Sequence, residues 1–444
     1  MTVWIGIDDT DSKEGGCTTY LAYRLIERFV TLGYNIIGYP RLVRLNPNIP
    51  WKTRGNGAIA IQIGKGRNTV KIGEFEKKEL YSHLRPYDAE LDIDRIKAIV
   101  DSVLKEMAFV SDENTNPGFV ICNSDRPNKE LYYDGVRSIL NLDDVKKALD
   151  DIGAIYKGYK NGRGIIGAAA ALAWEPEDKT YELIAYRYRE RWGKKREVDE
   201  KTVIEMDKSI PSTFDNYDYR NRRVAITPNS PCPVLYGIRG DEPNDLQKAI
   251  SILRGEPYTG WLIFETNQAT DDHLVKREIA DIRPYESVIS QGRICRGPVT
   301  IEGGHVIFSI ENGNVSIDCA AYEPTKEFRD IIRKLRVGDI VEVYGGVREE
   351  PFTVNIEKIK IIELAVVKRK VSNPVCPKCG KRMKSLGKNK GYRCVKCGER
   401  KGESDATFEE VERNIDKCLY EVPVCARRHL SKPLKRYKLS KVSK

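Results

Sequence analysis

The chain has 444 residues, 40% hydrophobic and 32% charged, which suits about three folded domains and excludes a globally disordered or fibrous protein. Lys and Arg outnumber Asp and Glu by 75 to 65, and the excess is local: residues 365–444 carry 23 basic and 8 acidic side chains, +15, against −5 for the remainder. The longest uncharged apolar run (Ile165 to Trp174) is about half a bilayer span, the start MTVWIGIDDTD lacks a basic signal region, and four of eleven cysteines cluster, so membrane and secreted classes are excluded and a cytoplasmic protein is expected.

In chain order, Val3 to Ile7 reads as a strand that stops at Asp8-Asp9-Thr10-Asp11-Ser12 and Gly15-Gly16. Thr18 then opens a helical pattern with Leu21, Leu25 and Phe29 on one face. A basic, Pro- and Gly-punctuated loop leads into a strand from Ala58 to Ile63. Residues 64–110 read as a polar loop followed by a helix from Asp94 to about Met107, and Phe119 to Cys122 is strand-like. From Asp143 the alternation continues: a helix through Leu149, a strand, an Ala-rich helix after Gly164, strands at 182–188 and in WLIFETN, and a helix from Asn244 to Leu253. This predicts α/β or α+β layers whose internal boundary the pattern leaves open. Five β-type runs between Val288 and Leu364, with a helix from Thr325 to Leu335 between the third and fourth, predict an OB-fold barrel, with an SH3-like or split barrel as the alternative.

Chemistry concentrates in a few motifs. Cys376 and Cys379, then Cys394 and Cys397, are two C-x2-C pairs on glycine-bearing knuckles, a spacing that fits tetrahedral structural zinc better than a redox pair. Basic residues around them suit a polyanion beside a single-strand-binding barrel. Asp8, Asp9 and Asp11 crowd three carboxylates at a strand end; the cluster suits magnesium carrying nucleotide phosphates, or Asp9 and Asp11 serve as turn formers. Thr18 reads locally as an N-cap, though a hydroxyl there could also coordinate or accept a phosphoryl group, with Thr19 as competitor. Lys52, Arg54, Gly55 and Gly57 in WKTRGNGA, and Arg163 between Gly162 and Gly164, suit phosphate contact or plain glycine turns with solvated cations.

Taken together and in order, WIGIDDTDS, GGCTTYLA, RLNPNIPWKTRGNGA, PNSPCPVLYGIRG, ATDDH, EGGHVIF, AAYEPTKEFR, the cysteine ribbon and ARRHLSKPL resemble the archaeal tRNA-isoleucine agmatidine synthetase family over nearly the whole chain. The resemblance implies a multidomain α/β and α+β protein: a kinase-like domain (residues 1–142, open to interruption by the next), a ferredoxin-like domain (143–284), an OB-fold (285–367) and a zinc ribbon with basic tail (368–444). It implies an ATP-dependent ligase that joins agmatine to carbon 2 of the wobble cytidine of the CAU-anticodon isoleucine tRNA, with AMP released. It further implies that Asp8, Asp9, Asp11 and Thr18 are catalytic, Thr18 taking a phosphoryl group, and that Lys52 and Arg54 lie in the ATP loop; the residue-level reading adds magnesium on the acids, Gly55, Gly57 and Arg163 as further nucleotide contacts, and a structural zinc. ATP, agmatine and tRNA are the implied partners, with no membrane and no obligate protein partner. The dication agmatine needs carboxylates, for which Asp215, Asp271 and Asp272 are candidates alongside a plain loop-acid reading. Two other readings compete: a non-enzymatic OB-fold and ribbon gripping single-stranded nucleic acid, and a kinase acting on a small molecule without tRNA.

Overall fold

A computed structural model describes residues 2–123 and 125–439; the last five residues of the expected basic tail, 440–444, lie outside it. The first half runs β1 (Val3–Asp8), α1 (Thr18–Thr31), β2 (Asn35–Arg44), β3 (Gly57–Phe75), β4 (Lys78–Tyr87), α2 (Ile93–Met107), β5 (Gly118–Cys122), α3 (Lys129–Arg137), α4 (Leu142–Asp151), β6 (Ile155–Gly158) and α5 (Gly164–Ala173). It continues through β7 (Thr180–Arg187), α6 (Glu200–Ser209), the two-residue strands β8 (Thr213–Phe214), β9 (Tyr217–Asp218) and β10 (Arg223–Val224), then β11 (Val234–Gly240), α7 (Pro243–Ile252) and β12 (Tyr258–Thr266). Ten of these strands form one sheet in the order β6-β5-β1-β3-β4-β2-β12-β7-β11-β8, so the two α/β units share a continuous surface. The seam is made by β12, which pairs parallel with β2 at Glu265–Arg41 and antiparallel with the far end of β3 at Gly260–Phe75.

Helices cover both faces. Val3, Ile5 and Ile7 of β1 pack with Leu21, Leu25 and Phe29 of α1 and with α2, while Trp4 on the opposite face joins the alanines of α5. The Ala-rich composition of α5 has a steric reason: a Cβ at Gly6 would overlap the Ala168 carbonyl, so helix and strand nearly touch backbone to backbone. Gly6→Ala is expected to push them apart and cost at least about 2 kcal/mol, read as a lowered urea midpoint.

Two expectations need correction. Residues 64–87 are not a polar loop: β3 runs on to Phe75 and returns as β4, a hairpin turned by Glu76 and Lys77 with φ of 45° and 69°. That turn lacks the Asn-Gly signature of its geometry, and the strands' exposed stretches read as polar. The expected helix 325–335 is shorter, α8 (Phe328–Arg333), because Lys326 at φ 48° separates it from the 3-10 turn Glu323–Thr325.

The OB-fold is present. Short β13 (Leu274–Lys276) leads to β14 (Ser287–Thr300), β15 (Val306–Asn312), β16 (Val315–Ala321), then β17 (Ile340–Arg348) and β18 (Thr353–Glu363) beyond α8; β14 pairs with both β15 and β17 and closes the barrel. Next, β19 (Lys368–Ser372), β20 (Lys384–Ser385), β21 (Tyr392–Arg393), β22 (Arg400–Lys401) and β23 (Thr407–Glu410) make the cysteine ribbon and its stem, β19 pairing with β23. The chain then returns. Strand β24 (Leu419–Glu421) adds to β18 of the barrel, and the last segment, ending in α9 (Leu434–Leu439), crosses back to the large sheet. Arg427 pairs with Asp215, Arg436 with Asp178 at 2.8 Å and Asp241 at 2.7 Å, and the His429 and Leu430 carbonyls accept from the Ala269 and Asp271 amides at 2.8 and 2.9 Å.

Candidate active site

A cavity of about 540 Å³ opens at the end of β1, between the two halves of the sheet. Its acidic end is the DDTD turn. Asp8 closes β1 and lies against α5, where a Cβ at Gly167 would overlap its carboxylate; only glycine leaves room for the acid. Desolvation in this enclosed corner, reinforced by the neighbouring Asp9 charge, pushes the Asp8 carboxyl up to about 8. Asp9 sits at φ 57° and takes two hydrogen bonds from Arg163, 3.1 Å from Nε and 2.9 Å from its terminal nitrogen. Asp11 pairs with Arg54 at 2.9 Å. Burial raises both of these carboxyls too, against the pull of their arginines.

Above the acids stands the start of α1. The residue at its N-cap position is Cys17, with no side-chain cap, so the N-cap reading of Thr18 is not what forms. Thr18 is the first helical residue; its hydroxyl accepts from Thr10 Oγ1 at 3.1 Å and lines the cavity. Thr19 also lines it, tied to Cys17 Sγ at 3.0 Å.

A cationic wall meets the acids. Arg54 also grips the Gly15 and Gly16 carbonyls at 2.9 and 2.7 Å and reaches Ser230 Oγ at 3.1 Å, linking the KTRGNG loop, the glycine turn and the second half of the sheet. Lys52, Gly55 and Gly57 line the same wall, Lys52 donating to the Pro47 carbonyl. Apolar Leu42, Ile139, Ile166, Ile184 and Ile226 fill the sides, and Trp51, 43% exposed, stands at the KTRGNG wall.

All nine residues expected at the catalytic and nucleotide site therefore line one cavity, although Arg54, Arg163, Asp9 and Asp11 neutralise one another there. Sequence reasoning missed Arg44, Glu182, Arg239 and His429. Glu182 on β7 lies 3.7 Å from Arg44, 3.4 Å from Arg239 on β11 and 2.5 Å from Gln268. No local spacing joins these residues; β7 pairs with β11, β12 links β7 to β2, and the last segment brings in His429.

The acids weighed for agmatine have partners within the protein. Asp215 holds Arg427, and Asp272 accepts from Tyr132 at 2.6 Å. Asp271 comes within 4.8 Å of His273 and Glu357, but Lys358 Nζ lies 2.6 Å from it, a fixed cation already in place. None of the three lines the cavity.

Magnesium fits the acidic end only in part by protein alone. Among the described residues the three carboxylates do not converge within 4.8 Å of one another, and Asp8 has no ion-pair partner. Hard oxygens that leave open positions suit a magnesium ion completed by phosphate. The ribbon site is self-sufficient: Cys376–Cys397 and Cys379–Cys394 sulfurs lie 3.4 and 3.3 Å apart, and Cys379–Cys397 3.8 Å. Zn–S bonds of about 2.3 Å place tetrahedral sulfurs roughly 3.8 Å apart, so four thiolates fill a structural zinc shell.

Known proteins align with this arrangement. The TiaS TCKD domain model matches residues 4–162, the TiaS FLD domain model 162–273, an OB-fold nucleic acid binding domain model 288–362, and the TiaS C-terminal zinc ribbon domain model 373–415. The isoleucine-tRNA 2-agmatinylcytidine synthetase TiaS of Methanocaldococcus jannaschii is 48% identical over 441 residues, 98% of each chain. A crystal structure of TiaS in complex with its isoleucine tRNA and ATP superposes with a TM-score of 0.84 at 43% identity, covering 98% of this chain and 97% of that one. A complex of TiaS with the same tRNA, AMPCPP and agmatine does so with a TM-score of 0.82 at 41% identity and the same coverage.

Proposed function

Since the chain belongs to the TiaS family of isoleucine-tRNA 2-agmatinylcytidine synthetases, we propose that it joins agmatine to carbon 2 of the wobble cytidine of the CAU-anticodon isoleucine tRNA, consuming ATP and releasing AMP. The observation that carries this reading is a single cavity that brings the acids and a helix N-terminus together with cations from several chain segments, Arg54 and Arg163 lying directly against Asp11 and Asp9. A triphosphate lying between them would place phosphorus beside the acids and Thr18. Asp8, with Asp9 or Asp11, would hold magnesium, which supplies charge neutralisation on the transferring phosphoryl group. Lys52, Arg54 and Arg163 bind phosphate oxygens, and the free N–H groups at the start of α1 stabilise the same charge.

The base chemistry explains why a nucleotide is needed. A cytosine carbonyl oxygen is a poor leaving group. Its attack on an ATP phosphorus breaks a bridging P–O bond, expels the shortened nucleotide and gives a 2-O-phosphoryl base. The agmatine primary amine adds at carbon 2, the phosphorylated oxygen departs as phosphate with its electron pair, the amine loses a proton, and cleavage of the remaining anhydride by water leaves AMP. The wobble base must leave its stack to enter, and Trp51 at the wall offers it a stacking face. The OB-fold and basic ribbon hold the rest of the tRNA, and a cytoplasmic location follows from that substrate.

Labelled agmatine should enter the CAU-anticodon tRNA only when ATP and magnesium are present. Retained tRNA binding without incorporation would leave a nucleic-acid grip, and ATP consumption indifferent to tRNA would make the protein a small-molecule kinase.

A further inference from the structure

The segment beyond the ribbon does more than tie domains together. Its backbone bonds to Ala269 and Asp271 bring His429 to the cationic wall of the cavity. Arg239 points a terminal nitrogen at His429 Nδ1 from 2.8 Å. A guanidinium can only donate, so Nδ1 accepts and the ring proton resides on Nε2. Gln268 Oε1 also lies 3.0 Å from Nδ1, held there by its amide nitrogen donating to Glu182, but an amide oxygen only accepts and makes no hydrogen bond to a bare Nδ1; the shorter contact from Arg239, which must donate, decides the tautomer. The other ring edge faces the KTRGNG loop: a Cβ at Gly55 would lie 3.3 Å from His429 Nε2 and 2.9 Å from an Arg44 terminal nitrogen. Only a residue without a side chain fits beside these two donors, and all three line the cavity. Arg44 Nε and Arg54 Nε are also enclosed there without an acceptor.

Resting on the reading of the cavity given above, we propose that His429 is a positioning residue, its Nε2–H donating to a phosphate oxygen held with Arg44 over Gly55. Burial and the charges of Arg44, Arg239 and Lys52 hold the imidazole well below its usual range, so it stays neutral and keeps this one tautomer. The phosphate belongs either to the nucleotide or to the RNA backbone beside the flipped base. A ring fixed in this way selects an oxygen with a lone pair and offers no base to take a proton.

Two substitutions separate a placed donor from a merely structural ring. His429→Asn keeps an oxygen to accept from Arg239 but is too short to offer a donor at Gly55; His429→Gln reaches that point with an amide N–H. In the full-length protein, with a non-hydrolysable ATP analogue and the CAU-anticodon tRNA titrated separately, His429→Asn should weaken one ligand at least 10-fold. His429→Gln should stay within about 3-fold of the parent, and kcat at saturating ligand should change less than KM. Loss confined to the analogue assigns the nucleotide; loss confined to tRNA assigns the backbone phosphate. Parent-like binding of both ligands by His429→Asn, or equal losses in both variants, would overturn the inference. A parent protein that binds no ATP analogue would instead defeat the reading of the cavity itself.

Discussion

Thr18→Ala is expected to leave the fold and tRNA affinity intact while abolishing both transfer of label from γ-labelled ATP to the protein and agmatine incorporation. The physical basis is placement: Thr18 presents its hydroxyl to the cavity at the first turn of α1, beside the DDTD acids, and the contact given up is the 3.1 Å hydrogen bond from Thr10. Losing that contact costs about 1 kcal/mol, too little to unfold a chain of this size. Thr18→Ser restores a hydroxyl at the same carbon and should recover label. Undiminished label in Thr18→Ala would move the acceptor to Thr19, which lines the same cavity.

Asp8→Asn is expected to be more stable than the parent and nearly inactive. In the folded chain the Asp8 carboxyl is raised from 3.8 to about 8, so between these values the native state holds a proton that the unfolded chain has released. Native stability therefore falls as pH rises through that window, by up to about 1.4 kcal/mol per pH unit. Asparagine does not titrate, so the variant's advantage in Tm should grow from about pH 4, level off above pH 8 and vanish below pH 4. Activity should fall by about 10²–10³-fold, the usual loss when one charge-stabilising group is removed from a transferring centre. Magnesium and ATP together should raise the Tm of the parent far more than that of the variant, because only the parent regains a partner for the ionised acid. A Tm difference that is flat with pH would show that Asp8 is ionised in the folded protein throughout.

What could be read in advance was whatever the chain writes contiguously. The DDTD turn, the KTRGNG loop and the paired cysteines each assemble within a few residues, so type and spacing carry their chemistry. The barrel was legible because its strands alternate and its helix falls between the third and fourth. Arg44, Glu182, Arg239 and His429 were not legible, because their meeting depends on β-pairing and on the path of the last segment. The Glu76–Lys77 hairpin escaped because two charged residues adopt positive φ where glycine or asparagine is the usual sign. Asp271 and Asp272 show the same limit: as loop acids they offered no sign of their partners, and the fold gives Asp271 to Lys358 and Asp272 to Tyr132.

The return of the final segment to the large sheet fixes the order in which the molecule can become competent. Asp8 leaves the ribosome roughly four hundred residues ahead of His429, with the barrel and the metal-binding loop translated in between. The acidic corner is therefore made early, while the wall that His429 completes stays open until that segment has been made. A chain cut short ahead of that segment would carry the DDTD corner without the side chain that closes its last wall.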